Sequence, residues 1–287
     1  MDLELYLYAA LAGGYLAGRL RPARGPWLPR ATFGAVVLLV GFLGATFRGL
    51  SGTVLLTVLP EALGFAALLL LATGAIALAL GHRARAPSSP EAPVEGPPRV
   101  PASGYLLVAL VAGYGAGTAV ALPTSTLVPI ALAGLLALVG FGLELRWDAL
   151  GRAWVPITAA AGGAVAAALV FAGLSRAGLV PSFAVALGFG WYSLTGPLVG
   201  ARFGATLGLL AFLANFCRES LTMMLAPLLG RRLRGEGLAA LGGATSMDTT
   251  LYFVVRHGDA RAGSLALASG LALTVAASVL VPLVLAL

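Results

Sequence analysis

The sequence predicts an all-α, polytopic membrane protein with about eight transmembrane helices plus two re-entrant or broken-helix segments. Three observations carry this. Of 287 residues, 59% are hydrophobic and only 10% charged, with a mean hydropathy of +0.96, which leaves too little polar surface for a soluble domain of this size. Apolar runs recur near the ~20 residues needed to cross a bilayer, and the short alternating segments of a transmembrane β-barrel are missing. Two further apolar stretches are broken by Gly, Pro, Ser and Thr in a way that no uninterrupted helix accommodates.

In chain order, the eight full crossings are expected near 5–18, 31–47, 54–80, 104–121, 127–144, 153–174, 203–229 and 262–286. The third is long and is expected to begin with an interfacial turn at Pro60-Glu61. The interrupted stretches lie at 182–200 and 238–255. Between the third and fourth crossings, residues 84–103 are rich in Pro and polar residues and read as an extended cytoplasmic linker. The expected organisation is therefore an N-terminal membrane part (1–83, about three helices), the linker (84–103) and a C-terminal part (104–287) that carries both interruptions.

The 18 basic residues are all Arg and give a formal net charge of +7 against 11 acidic residues. In such an apolar chain that excess reports orientation; it does not imply a nucleic-acid partner. Arg19, Arg21, Arg24 and Arg30 follow the first crossing, Arg83, Arg85 and Arg99 the third, Arg146 and Arg152 the fifth, and Arg231, Arg232 and Arg234 the seventh, while Arg256 and Arg261 precede the eighth. The opposite connections hold only Arg48, Arg176 and Arg202. Arg on alternate loops places both termini on the non-cytoplasmic side, with 182–200 entering from outside and 238–255 from inside. Asp2 and Glu4 stand where the positive region of a cleavable signal peptide would be expected.

The chemistry concentrates in three short blocks. The first, Gly188 to Pro197 (GFGWYSLTGP), offers Trp191, Tyr192, Ser193 and Thr195 among glycines that permit close backbone approach. The two aromatic residues read either as interfacial anchors or as substrate contacts. The second, Asn215 to Glu219 (NFCRE), puts Arg218 and Glu219 midway along the seventh crossing, where lipid exposure of either costs several kcal/mol, so both should face protein or water. Asn215 lies one turn before Glu219 on the same face. Glu219 could attract a cationic group or carry a proton; Arg218 could neutralise it or hold a carboxylate; a structural ion pair is the plainer alternative. The third, Gly242 to Leu251 (GGATSMDTTL), supplies Thr245, Ser246, Asp248, Thr249 and Thr250 with freed backbone groups, a setting that suits ligand binding by half-helix ends or, more simply, helix capping. Irregular backbone at membrane depth must face protein or a watery cavity, and paired interruptions are the sequence mark of a transporter's binding site.

Other residues exclude as much as they suggest. Cys217 is the single cysteine and reads as a packing residue. Glu144 and Glu61 lie near interfaces, where surface pairing is the plainer reading and a part in transport the alternative. His82 and His257 stand in Arg-rich turns without metal-ligand spacing, and Gly162-Gly163 lacks the Gly-Lys-Ser/Thr ending of a phosphate loop. No His accompanies Ser193 or Ser246 as a catalytic partner. The expectation is a transporter, not an enzyme, with no cofactor and no metal.

The motifs GFGWYSLTGP, NFCRE, Ala226-Pro227 with Arg231-Arg232, and GGATSMDTTL, in this order and spacing, resemble the lysine exporter LysO family of bacterial inner membranes. The likeness is close over 182–287; over 1–180 only the order of spans and the VGFLG-like run at 40–44 agree. The resemblance implies export of L-lysine and its toxic analogues from the cytoplasm, coupled to an ion gradient, with protons the expected ion. The chain departs from the family pattern at Asn215, at Tyr252 and at Arg48, where the family places Asp, Pro and an acidic residue. On this reading the substrate-binding residues are Glu219, Asp248, Asn215, Arg218, Trp191, Tyr192, Ser193, Thr195, Ser246 and Thr249. Glu219 and Asp248 hold the ammonium groups and one carries the coupled proton, while Ser193, Thr195, Ser246 and Thr249 hold the α-carboxylate. Besides lysine or a related amino acid and the coupling ion, the expected partner is membrane lipid; small residues suit close helix packing either in a homodimer or within a monomer. An ion-coupled carrier of another amino acid or of an organic anion is the alternative.

Overall fold

The computed structural model describes residues 3–20, 27–46, 48, 52–83, 102–142, 151–175 and 177–287. Its helices are α1 (Leu3–Leu20), α2 (Trp27–Thr46), α3 (Gly52–Arg83), α4 (Ala102–Ala119), α5 (Thr124–Gly142), α6 (Trp154–Leu174), α7 (Leu179–Ala186), α8 (Tyr192–Phe203), α9 (Ala205–Gly242), α10 (Leu251–His257) and α11 (Ala262–Leu285), with a 3-10 turn at Gly243–Met247 before α10. No strand occurs among the described residues. Eight of these helices, α1–α6, α9 and α11, coincide with the expected crossings. Those at Leu56–Gly81, Trp154–Leu174, Ala205–Met247 and Ala262–Leu285 are apolar and long enough to span a membrane. The chain is a multi-pass, all-α membrane protein. The turn expected at Pro60 is not formed; α3 runs helically through it, since membrane helices tolerate an internal proline where neighbouring groups satisfy the freed backbone. Residues 84–101, residues 143–150 with Glu144, and the side chain of His82 lie outside the described residues.

The helices gather into two compact units. One contains α1, α2, α4 and α5. In it, small residues let backbones touch. Gly14 and Gly18, one turn apart on α1, abut the α5 backbone at Ala137 and Phe141, and Gly113 and Gly117 of α4 abut α2 at Gly41 and Ala45. A methyl group at any of the four glycines would collide with backbone, so this is the small-xxx-small packing that membrane helices use where lipid removes the hydrophobic driving force.

The other unit contains α3 and α6–α11. The expected linker boundary groups α3 with α1 and α2, whereas the packing groups α3 with α6 and α9. Gly163 of α6 rests directly on Thr73 of α3, and Phe65 stacks on Phe171 at 4.0 Å between ring centroids. Between α6 and α11 lie the two interrupted stretches, and both are re-entrant hairpins. In the first, α7 runs inward, the chain turns over 187–191 with Phe189 and Gly190 at positive φ (51° and 101°), and α8 returns to Gly204, where α9 begins. In the second, α9 breaks at Arg234 (φ 55°, ψ −167°); its last turns double back, the chain reverses through the 3-10 turn, and α10 returns until His257 meets Gly230.

Candidate substrate site

The long first limb of α9, Ala205 to Leu233, fixes the geometry. The first hairpin is attached at its start and the second at its end, so the two enter from opposite ends of one helix. Glu219 is the middle residue of that limb, about 21 Å from either end at 1.5 Å per residue. The hairpin tips meet at this depth. The Phe189 carbonyl accepts a hydrogen bond from the Ala244 amide at 2.9 Å, joining one interruption to the other. Gly243, at φ 64°, allows this contact, because a Cβ there would strike the Phe189 carbonyl and lie 2.6 Å from Nη1 of Arg218. Behind the second tip, Gly270 of α11 lets the 3-10 turn approach to the backbone at Met247.

Asn215 secures the first tip to α9. Its Oδ1 accepts from the Gly190 amide at 2.8 Å, and its Nδ2 faces the carbonyls of Val185 (3.0 Å) and Ala211 (3.1 Å) and the Thr195 hydroxyl (3.1 Å). The side chain is fully buried, and its hydrogen-bonding capacity is taken up within the protein. Several of the expected hydroxyls are similarly engaged. Thr195 donates to the Trp191 carbonyl. Ser246, with no exposed surface, reaches the Gly243 and Ala266 carbonyls at 2.8 Å each. Thr245 and Thr250 bond the carbonyls of Gly242 and Thr245. These contacts replace the backbone partners that the interrupted helices lose, the requirement for irregular backbone at membrane depth.

The acids stand apart from this network. Glu219 is 1% exposed, and neither carboxyl oxygen has a hydrogen-bond partner of good geometry among the described residues, although Asp248 and Thr249 lie close enough to interact with it electrostatically. Asp248 is half-buried; its Oδ1 accepts from the amide and hydroxyl of Thr249. Tyr192, half-buried at the start of α8, is within electrostatic reach of both acids. Its ring packs edge-on against Phe212 (5.1 Å) and Phe216 (5.7 Å) of α9. The structure thus brings Tyr192, Glu219, Asp248 and Thr249 together at the tips, with Arg218 packed against the tip glycines. Trp191 is half-buried at the turn into α8, and the side chain of Ser193 lies outside the described residues. Glu61 is exposed, away from this arrangement in sequence and burial. No group of His, Cys, Asp and Glu suited to a metal ion occurs among the described residues.

Phe212 and Phe216 were not among the expected site residues. Their spacing was the available signal: with Glu219 they recur at i, i+4 and i+7 on one face of α9.

The chain is similar to known proteins over the stretch that carries both hairpins. The family model described as "Lysine exporter LysO" matches residues 107–285, which include both hairpins and all of α9. The chain belongs to the lysine exporter LysO family. It is 43% identical over 105 residues to the lysine exporter LysO of Escherichia coli K12, covering 37% of this chain and 33% of that protein. It is 30% identical over 93 residues to a putative lysine exporter of Haemophilus influenzae Rd, covering 32% of this chain and 47% of that protein. The matched stretches thus span between a third and a half of these curated relatives. No solved structure matches. Within this LysO family chain, the four sequence blocks fall on the first hairpin tip, the middle of α9, the end of its first limb and the second hairpin tip.

Proposed function

We propose that this chain is a secondary active exporter of L-lysine, and of lysine analogues, from the cytoplasm across a bacterial inner membrane, coupled to an ion gradient, with protons as the coupling ion. The observation that carries this is the pair of acids, Glu219 and Asp248, where two oppositely entering hairpin tips meet midway along α9. Neither forms an ion pair among the described residues, so the place calls for a cation. Family membership supports lysine as that cation. In this reading Glu219 and Asp248 take the two ammonium groups, and Tyr192 with Phe212 and Phe216 offers an aromatic wall to the aliphatic stem. Asn215, Thr195 and Ser246 hold the tips in place. The Arg distribution puts the second hairpin on the cytoplasmic side and both termini outside. Access alternates between the two sides of the tips, and a proton arriving from outside neutralises a carboxylate and releases the cation.

The test is uptake of labelled L-lysine into inverted vesicles holding the purified protein, with and without an imposed pH gradient. Gradient-dependent uptake, lost in Glu219→Gln and Asp248→Asn proteins that remain folded, is the expected result; full flux through Glu219→Gln would sink the assignment. A second reading, a carrier of another amino acid or of an organic anion, is favoured by the Arg218 guanidinium, which has no carboxylate partner among the described residues, and by Asn215 and Arg48 standing where the family pattern is acidic. A substrate-competition panel separates the two.

A further inference from the structure

Arg218 is only 2% exposed, yet no carboxylate among the described residues pairs with it. One nitrogen, Nη2, donates to the Ala240 carbonyl at 3.2 Å; Nε and Nη1 have no hydrogen-bond partner there. The neighbouring Glu219 points elsewhere, because adjacent residues diverge by about 100° around a helix. The guanidinium lies against both hairpin tips. A Cβ built on Gly243 would fall 2.6 and 2.8 Å from Nη1 and Nη2, and one on Gly190 would fall 3.4 Å from Nη1. Glycine at 243 is what lets the cation reach the meeting point of the tips, with Gly190 in ordinary contact beside it.

A buried cation at membrane depth with spare donors is retained where some state of the protein supplies an anion. Of the hydroxyls that the sequence offered for a carboxylate, Thr195, Ser246 and Thr249 already donate to protein oxygens. Arg218, Glu219 and Asp248 together present one positive and two negative charges. An α-amino acid with a second amino group presents the inverse, two ammonium groups and one carboxylate. We infer that Arg218 reads the α-carboxylate of the transported molecule, so that the site selects amino acids over the corresponding amines. This rests on the exporter reading for the location of the substrate and adds which of its groups is recognised by which residue. A planar guanidinium with unused N–H groups is suited to a carboxylate in a way that the Lys ammonium is not.

The experiment is competition against labelled L-lysine transport in proteoliposomes of the full chain, using unlabelled L-lysine, cadaverine (the same diamine without the carboxylate) and L-lysine methyl ester (the carboxylate blocked). The expected result is that cadaverine and the ester compete roughly 10- to 100-fold more weakly than lysine, and that Arg218→Lys narrows this gap. Equal competition by all three overturns the inference while leaving a lysine exporter in place. Even where Arg218→Lys does not fold, the wild-type comparison decides whether the α-carboxylate is read at all, and equal competition there overturns the inference. If lysine is not moved at all, the deciding measurement is thermal stabilisation by a panel of neutral, basic and acidic α-amino acids. Stabilisation by any of them that is absent with its carboxyl ester upholds the role of Arg218 and removes only the lysine reading; stabilisation by none overturns both.

Discussion

At the scale of single residues, the polar groups at the hairpin tips divide by whether the protein already satisfies them. Asn215 is saturated: one side chain connects Gly190, Val185, Thr195 and Ala211. Asn215→Ala leaves the buried Gly190 amide without its acceptor, a loss that costs about 1–3 kcal/mol, and takes a second donor from the Val185 carbonyl, which keeps the Gly188 amide. The expected outcome is a clearly lower melting temperature in detergent, with lysine affinity near wild type in the protein that remains folded. A large loss of affinity at unchanged stability would instead make Asn215 a substrate contact. Glu219 is the opposite case, with both oxygens unsatisfied. Glu219→Gln removes charge without removing volume, so transport should fall to background while the melting temperature holds or rises, since an unpaired buried carboxylate stabilises nothing. Melting curves and flux measured on the same preparation check this.

At the scale of elements, the hairpins depend on backbone that only particular residues can adopt. Gly243 combines a positive φ with two close neighbours, the Phe189 carbonyl and the Arg218 guanidinium. Gly243→Ala therefore meets conformational strain of about 1–3 kcal/mol and a steric clash at the joint between the tips. Expected outcomes are reduced stability and loss of transport, read by thermal denaturation and vesicle flux; normal flux would mean that the tips need not touch. Arg234 carries the break that turns the end of α9 back into the membrane. Helix propensity does not single out this residue, because Arg is a good helix former, but the charged stretch 231–236 with Gly235 and Gly237 is where the sequence ends the seventh crossing. The interruption at 188–197 was legible, since Gly-rich, Pro-containing sequence argues against continuous helix. The break at Arg234 falls in the charged connection expected between the crossing at 203–229 and the stretch at 238–255.

At the scale of the whole molecule, two hairpins attached to opposite ends of the first limb of α9 must open toward opposite membrane faces. Arg202, at the base of the first, and Arg256, at the base of the second, are both exposed, while Cys217 is buried. Single cysteines introduced as Arg202→Cys and Arg256→Cys in a Cys217→Ala background should therefore react with a membrane-impermeant maleimide from opposite sides. The Arg distribution specifies which side: Arg202→Cys from outside cells and Arg256→Cys only in inverted vesicles. Labelling of both from one side would contradict the opposed arrangement.

What the sequence by itself determined is the class, the order of the helices and where the apolar pattern is interrupted. Bilayer thickness sets helix length, and lipid tolerates no stray Glu219, Asp248 or broken helix without a reason. Those constraints are local and can be read along the chain. The tertiary structure decided the rest: that the interruptions are hairpins meeting tip to tip, that Asn215, Thr195 and Ser246 are tied to the protein, and that α3 packs with α6 and α9. Whether a polar group is satisfied depends on atoms supplied by segments 20 to 30 residues away, as for Asn215 with Thr195 and Val185. A hydrogen bond forms or fails over a few tenths of an ångström, and no pattern of residue types along one chain carries that distance.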